Sequence, residues 1–278
     1  MVAEIVASLT GCLVALCGYG VWENGAVKLH RLEVRDARLP VDFDGVRIAH
    51  VSDLHNAKFG VGQKKLASLL AEAQADAVFI TGDLIDRRRR GMKNALDLIE
   101  IAVRSSPVYY VPGNHEALSG EYPLLREKLR SLGVRVLEDD TQTWQRGTCT
   151  VTVAGVGDPR GSVENENAAI ARCMREKLKR VCGEGYTLLL SHRPERLSDY
   201  AKAGVGIAFC GHAHGGQFGT PWGGLIAPNQ GLFPRYTGGV YQEGETQMVL
   251  SRGLGNSSIP IRLWNRPEIL VVTLRRST

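Results

Sequence analysis

No Cys-x-x-Cys pair occurs in this chain, no segment is of low complexity, and no block recurs at a fixed period. The last two absences argue against disordered and repeat architectures. The missing cysteine pairing, in a chain of 278 residues with only six cysteines, argues against a disulfide-built miniprotein and for free thiols in a reducing compartment. Charge of either sign is missing from Ile5 to Trp22, and no Lys or Arg precedes Lys28. A strong charge imbalance is also lacking: 34 basic against 29 acidic residues leave a net charge of +5. That excess suits an anionic substrate or a membrane surface, and no nucleic acid polymer is expected as partner. What remains is an ordinary globular profile, 44% hydrophobic and 23% charged, long enough for one large core or for a core plus a small appendage.

The uncharged N-terminal run is close to the minimum length for a membrane span. Ser8, Thr10 and three glycines dilute it, but it shows no polar face of the kind a core helix would carry. A cleaved signal peptide would need a basic start and a small-residue cleavage site, and neither is present. Leu9 to Cys12 matches a bacterial lipoprotein box only by accident, because the apolar run before it is too short. Residues 1–25 are therefore expected to be a single membrane anchor and residues 26–278 one catalytic domain. Lys28, Arg31, Arg35 and Arg38 follow the span, which places that domain on the cytoplasmic face by the positive-inside rule.

Beyond Lys28 the pattern alternates between short apolar runs and helical stretches. Strands are expected at Val46–Val51, Ala77–Thr81, Val108–Val111, Val134–Leu137, Thr148–Val156, Tyr186–Leu190 and Glu268–Leu274. Helices are expected at Gln63–Ala75, Met92–Val103, Tyr122–Leu132 and Ala168–Cys182. This rhythm implies sheets covered by helices. The Gly-rich stretch from Gly215 to Gly255 reads as irregular loops around a site. Cys210 reads as a small buried hydrophobe.

Five of the apolar runs end in side chains that metal ions bind. They are followed by Asp53 and His55, by Gly82 and Asp83, by Gly113 to Glu116, by His192, and by Gly211 to His214. In a straight strand, Asp53 and His55 would face the same side, and Gly82 would let the chain turn and approach closely. Any one of these histidines alone reads as structural. So many buried imidazoles and carboxylates at strand ends, without an ion, would be costly. The set points to a two-metal hydrolase. Mixed Asp, Asn and His ligands suit Mn2+, Fe2+ or Zn2+, with Mn2+ favoured here.

The ordered set Asp53-x-His55, Gly82-Asp83, Gly113-Asn114-His115-Glu116, His192 and Gly211-His212-x-His214 resembles the calcineurin-like metallophosphoesterase superfamily. Glu116 stands where many members carry Asp. The N-terminal span, the stretch from Leu39 to Ile48 and the stretch from Ser251 to Gly255 are similar to a membrane-associated bacterial branch of YaeI- and YkuE-type phosphodiesterases, which includes a UDP-diacylglucosamine pyrophosphatase. The resemblance implies an α/β fold, two mixed β-sheets packed as a sandwich flanked by helices. It also implies that Asp53, His55 and His214 hold one divalent ion, that Asn114, His192 and His212 hold the other, and that Asp83 bridges them. His115 would then be the acid to the leaving oxygen, oriented by Glu116.

The implied substrate is a phosphodiester or pyrophosphate, lipid-linked or a nucleotide diphosphate, such as UDP-2,3-diacylglucosamine. The competing readings are a phosphodiesterase or phosphatase on soluble nucleotides, and a non-catalytic metal-binding scaffold. Four consecutive arginines, Arg87 to Arg90, are candidates to grip a diphosphate or an anionic headgroup, with Arg193 and Arg252 as further phosphate contacts. Trp144, Trp222, Phe218, Phe233 and Tyr236 are expected to be packing residues.

Overall fold

The computed structural model describes residues 1–161, 167–256 and 258–277. Its first element, α1 (Val2–Asn24), stands almost wholly exposed, burying only Gly20 and Glu23 in its last turn. The rest is a sandwich of two six-stranded sheets. Five strands, β1 (Lys28–Arg35), β2 (Arg47–Val51), β3 (Ala77–Ile80), β4 (Val108–Tyr110) and β5 (Arg135–Val136), contribute to the first sheet. The second takes β6 (Asp140–Arg146), β7 (Cys149–Gly155), β8 (Thr187–Leu190) and β9 (Ile207–Cys210). Two small hairpins follow, pairing β10 (Gly219–Thr220) with β11 (Gly223–Gly224) and β12 (Ile226–Ala227) with β13 (Gly231–Leu232). The chain then adds β14 (Gly239–Glu243) and β15 (Thr246–Leu250) to the second sheet, and returns as β16 (Glu268–Arg275) to the first.

Both sheets are mixed. The order β1-β16-β2-β3-β4-β5 is parallel except between β16 and β2. The order β14-β15-β9-β8-β7-β6 is parallel except at its two ends. The central strands are buried on both faces, which explains their unbroken apolar runs. In β3, Ala77 and Phe79 enter the core between the sheets, whereas Val78 and Ile80 face the outer helices. In β9, Ile207 and Phe209 face inward and Ala208 and Cys210 outward, the latter a fully buried free thiol. The helices α2 (Lys64–Ala73), α3 (Lys93–Ser105) and α5 (Tyr122–Ser131) cover the first sheet, after the short α4 (Asn114–Ser119). The second is covered by α6 (Asn167–Val181) and α7 (Leu197–Lys202).

The expected sandwich is thus the observed one, with each expected strand or helix found within a few residues of its place. The Gly-rich tail departs from expectation: it is not merely loops, because β14 and β15 complete the second sheet. Of the aromatics expected to pack, Trp144 does, edge-on to Phe43 at 5.4 Å. Trp222 and Phe233 do not; they are 90% and 71% exposed.

Candidate metal centre

The five ligand-bearing segments leave the carboxyl ends of β2, β3, β4, β8 and β9. Within each sheet those strands are parallel, so their ends gather on one edge of the sandwich, where open α/β sheets generally bind ligands. The straight-strand expectation for Asp53 and His55 does not hold. The chain leaves β2 at Val51, and Asp53, His55, Asp83, His212 and His214 all adopt left-handed backbone angles, with φ between 48° and 72°. Each such residue costs on the order of 1–2 kcal/mol, and strain of this kind collects where side chains must be aimed. The turns also need glycine. A Cβ on Gly82, itself at φ 88°, would lie 2.5 Å from the backbone of Gly113, and one on Gly211 would lie 1.8 Å from Ser52 Oγ.

Two triads result. In the first, His214 Nε2 lies 3.2 Å from His55 Nε2 and 3.4 Å from Asp53 Oδ1, with 3.9 Å closing the triangle. In the second, His192 Nε2 lies 3.1 Å from His212 Nδ1 and 3.2 Å from Asp83 Oδ2. Donor atoms sharing one ion at about 2.0–2.2 Å lie about 2.8–3.6 Å apart, so most of these separations are those of a common coordination shell. Asp83 connects the triads, since the same Oδ2 is 3.7 Å from His55 Nε2. Asn114 adds a buried Oδ1 with no hydrogen-bond partner, as an amide ligand would have in the absence of its ion.

The tautomers fit as well. His192 Nδ1 faces the Thr81 carbonyl at 2.6 Å, and His212 Nε2 faces Asn229 Oδ1 at 2.9 Å. Each ring donates its proton outward and turns a lone pair inward, the usual outer-shell arrangement for ligating imidazoles. Burial holds His55 and His212 neutral, their pKa values well below the ordinary range. Burial also opposes charge on His192, but the Asp83 and Asp53 carboxylates override it and push its pKa up to about 10. A divalent cation offsets that same negative charge while freeing the imidazole lone pair. The residues present therefore fit a dinuclear divalent site.

Glu116 is the residue expected to orient His115. It is fully buried, and its carboxylate accepts hydrogen bonds from the backbone amides of Gly113 at 2.7 Å, Asp83 at 2.7 Å and Ile85 at 3.0 Å. It caps the start of α4 by accepting from the Gly113 amide and ties together the loops that carry Asp83 and Asn114. Burial and the charge of Asp83 raise its pKa to about 7 against those three bonds. His115 lies beside Asp86 Oδ1 at 3.6 Å, its Nδ1 accepts the Arg87 amide at 3.2 Å, and its own amide donates to Asp83 Oδ1 at 2.8 Å. Asp86 is also 3.8 Å from His55 Nδ1 and was not among the expected site residues.

A cleft of about 290 Å³ opens over this centre, lined among others by Asp83, Asn114, His115, His212 and His214. Arg87 and Arg88 of the basic run line it. Arg89 instead holds Asp86 at 2.8 Å. Arg193 is no phosphate contact: it is fully buried and paired with Asp158 at 2.7 Å and Glu195 at 3.0 Å. The Arg252 side chain faces Glu268, 3.9 Å away. Sequence reasoning missed Arg160 and Asn229, which also line the cleft. Arg160 was findable, since it follows the apolar strand β7 as the ligands follow theirs. Asn229 had no local signal.

Comparison with known proteins agrees with this geometry. The family described as calcineurin-like phosphoesterase matches residues 46–216, which hold all seven expected ligands. The metallophosphoesterase YkuE of Bacillus subtilis is 26% identical over 279 residues, covering 97% of this chain and 94% of that protein. A transmembrane protein with metallophosphoesterase domain from Danio rerio is 26% identical over 274 residues, 90% of this chain but only 58% of the longer protein. Among solved structures, TT1561 of Thermus thermophilus is similar in fold, with a TM-score of 0.51 at 16% identity over 76% of this chain and 90% of that one. The chain belongs to the calcineurin-like phosphoesterases and is a metal-dependent phosphoester hydrolase.

Proposed function

We infer that Asp53, His55 and His214 hold one divalent cation and Asn114, His192 and His212 a second, with Asp83 between them, and that the enzyme cleaves a phosphodiester or pyrophosphate bond. The observation that carries this reading is the pair of triads joined through Asp83 Oδ2, 3.2 Å from His192 and 3.7 Å from His55. The hard and borderline donors favour Mn2+, with Fe2+ or Zn2+ as alternatives. Such a pair of cations supplies Lewis-acid neutralisation of the phosphoryl group and an activated water.

The chain's own residues do the rest. Arg87, Arg88 and Arg160 line the cleft mouth and bind the non-reacting phosphate oxygens. His115 lies buried beside Asp86 and lines the same cleft, which supports its role as the group that hands a proton to the leaving oxygen. Glu116 keeps the ligand loops in register through three backbone amides. An N-terminal helix of 23 residues, about 34 Å long at 1.5 Å per residue, suits a membrane anchor. With Lys28, Arg31, Arg35 and Arg38 after it, the catalytic domain belongs on the cytoplasmic face. Anchoring favours a lipid-linked substrate of the UDP-2,3-diacylglucosamine kind.

The test is hydrolysis of bis-p-nitrophenyl phosphate by metal-stripped protein before and after adding Mn2+. Hydrolysis restored by Mn2+ and lost in Asp83→Ala is expected. Activity indifferent to both would overturn the reading.

A further inference from the structure

The last turn of α1 does not hang free of the catalytic domain. Gly20 sits against Arg262 and Leu263, where a Cβ would come within 3.1 Å of the Arg262 carbonyl. The Tyr19 ring lies 6.3 Å from that of Trp264. Asn24 donates to the Pro260 carbonyl at 2.7 Å and accepts from the Arg262 amide at 3.0 Å, and Glu23 accepts from the Asn265 amide at 2.9 Å. Trp264 is therefore fixed at the same level along α1 as Tyr19, within the apolar helix.

From Trp264 the contacts lead outward through the two small hairpins. Gly219 donates to the Leu263 carbonyl at 2.7 Å, Trp222 forms the tip of the β10–β11 turn, and Phe233 donates to the Leu225 carbonyl at 2.8 Å beside the Ile226–Leu232 pair. These segments present large apolar side chains to the outside: Trp222 at 90% exposure, Phe233 at 71%, Leu232 at 66%, Trp264 at 64% and Trp22 at 59%. Three of the chain's four tryptophans lie here. Phe233 and Trp264 are held at φ 51° and 52°, a left-handed backbone that bulky residues avoid, so their outward display is built in against a local cost. Around the exit of α1, Lys65 donates to the Gly25 carbonyl and Arg266 to that of Ala26, adding basic groups at the same level. A cavity of about 340 Å³, lined by Ile226, Ala227, Pro228 and Ile259, runs from β12 to His214 and Asn229 of the metal cleft.

We propose that the β10–β11 and β12–β13 hairpins, together with Trp264, are a membrane-docking surface that seats the catalytic domain in the interfacial layer of the bilayer α1 crosses. The inference rests on the reading of α1 as an anchor and extends it, because it gives the domain a second contact with the bilayer beside the helix. Tryptophan flanked by basic groups is the composition that membrane interfaces select. Docked in this way, the apolar cavity faces the acyl region and the metal cleft the headgroup level, so the enzyme meets amphiphilic phosphoesters without extracting them.

The test uses full-length protein in phosphatidylethanolamine–phosphatidylglycerol vesicles, with phosphatidylcholine brominated on its acyl chains as quencher. Three single-tryptophan forms retain Trp22, Trp222 or Trp144, the others being replaced by Phe. The expected result is that the emission of Trp222 is quenched as that of Trp22 is, both lying at the interface, while that of the half-buried Trp144 is not. Quenching of Trp22 without Trp222 overturns the docking surface and leaves the anchor standing. If Trp22 also escapes, anchor and docking surface fall together. A Trp222 emission shielded from lipid but dependent on protein concentration would assign the face to a second copy of the chain and overturn the proposal.

Discussion

At the scale of single residues, Asp83 and Glu116 divide the labour between charge and position. Asp83 reaches both triads, so Asp83→Asn should lower metal content and abolish hydrolysis together, as metal analysis beside the diester assay would record. Glu116 satisfies three buried amides, and leaving each unmade costs about 1–3 kcal/mol. Glu116→Ala should therefore lower the urea midpoint markedly even in protein saturated with metal. A normal midpoint would show that the loops hold without it. Asn229→Ala should weaken metal binding by about 10–100-fold, the usual effect of losing an outer-shell partner, and a chelator titration would measure it. His115→Ala should keep its metal yet lose turnover chiefly on esters with poor leaving groups. Equal losses on good and poor leaving groups would remove the proton-donor role.

The candidate ligands were legible because each is a polar residue at the end of an apolar strand run, a signal that needs no three-dimensional context. Asn229 was not, because it lies in a Gly-rich stretch and gains its role only by meeting His212 at 2.9 Å. Arg193 misled for the converse reason. Its neighbour His192 is at the site, but the arginine turns into Asp158, a partner 35 positions away that no local pattern announces.

At the scale of elements, the parallel strands were readable from continuous apolar runs, whereas β14 and β15 were obscured by the surrounding glycines, and β14 also by an alternating burial pattern. Close packing between the sheets also buries an ionisable group outside the metal centre. His50 of β2 is fully buried, bonded to Thr81 Oγ1 at 2.8 Å and edge-on to Phe209, and burial lowers its pKa to about 3. The unfolded chain takes up this proton below its ordinary pKa of 6.5, while the folded chain does not until about 3. Stability must therefore fall as pH drops through that window, by up to about 1.4 kcal/mol per pH unit from this group. Metal-loaded His50→Gln should show a shallower fall between pH 6.5 and 5 in denaturant titrations. An unchanged slope would mean that His50 protonates in the folded state. Gly211→Ala, with its Cβ against Ser52, should prevent the two sheets from bringing His212 toward Asp53 and should lose metal.

At the scale of the whole molecule, two sheets that share no strand each supply part of one centre. Asp53, His55, Asp83 and Asn114 come from the first, and His192, His212 and His214 from the second. Metal binding is thus coupled to the docking of one sheet on the other, and saturating metal should raise the unfolding temperature by mass action. The most direct measurement is a Mn2+ titration of stripped full-length protein with the bound metal counted per chain. Two equivalents bound by the native chain, and fewer than two by Asp83→Ala, are expected. A native chain that saturates with a single ion, or binds none while remaining folded, would contradict the two-metal centre.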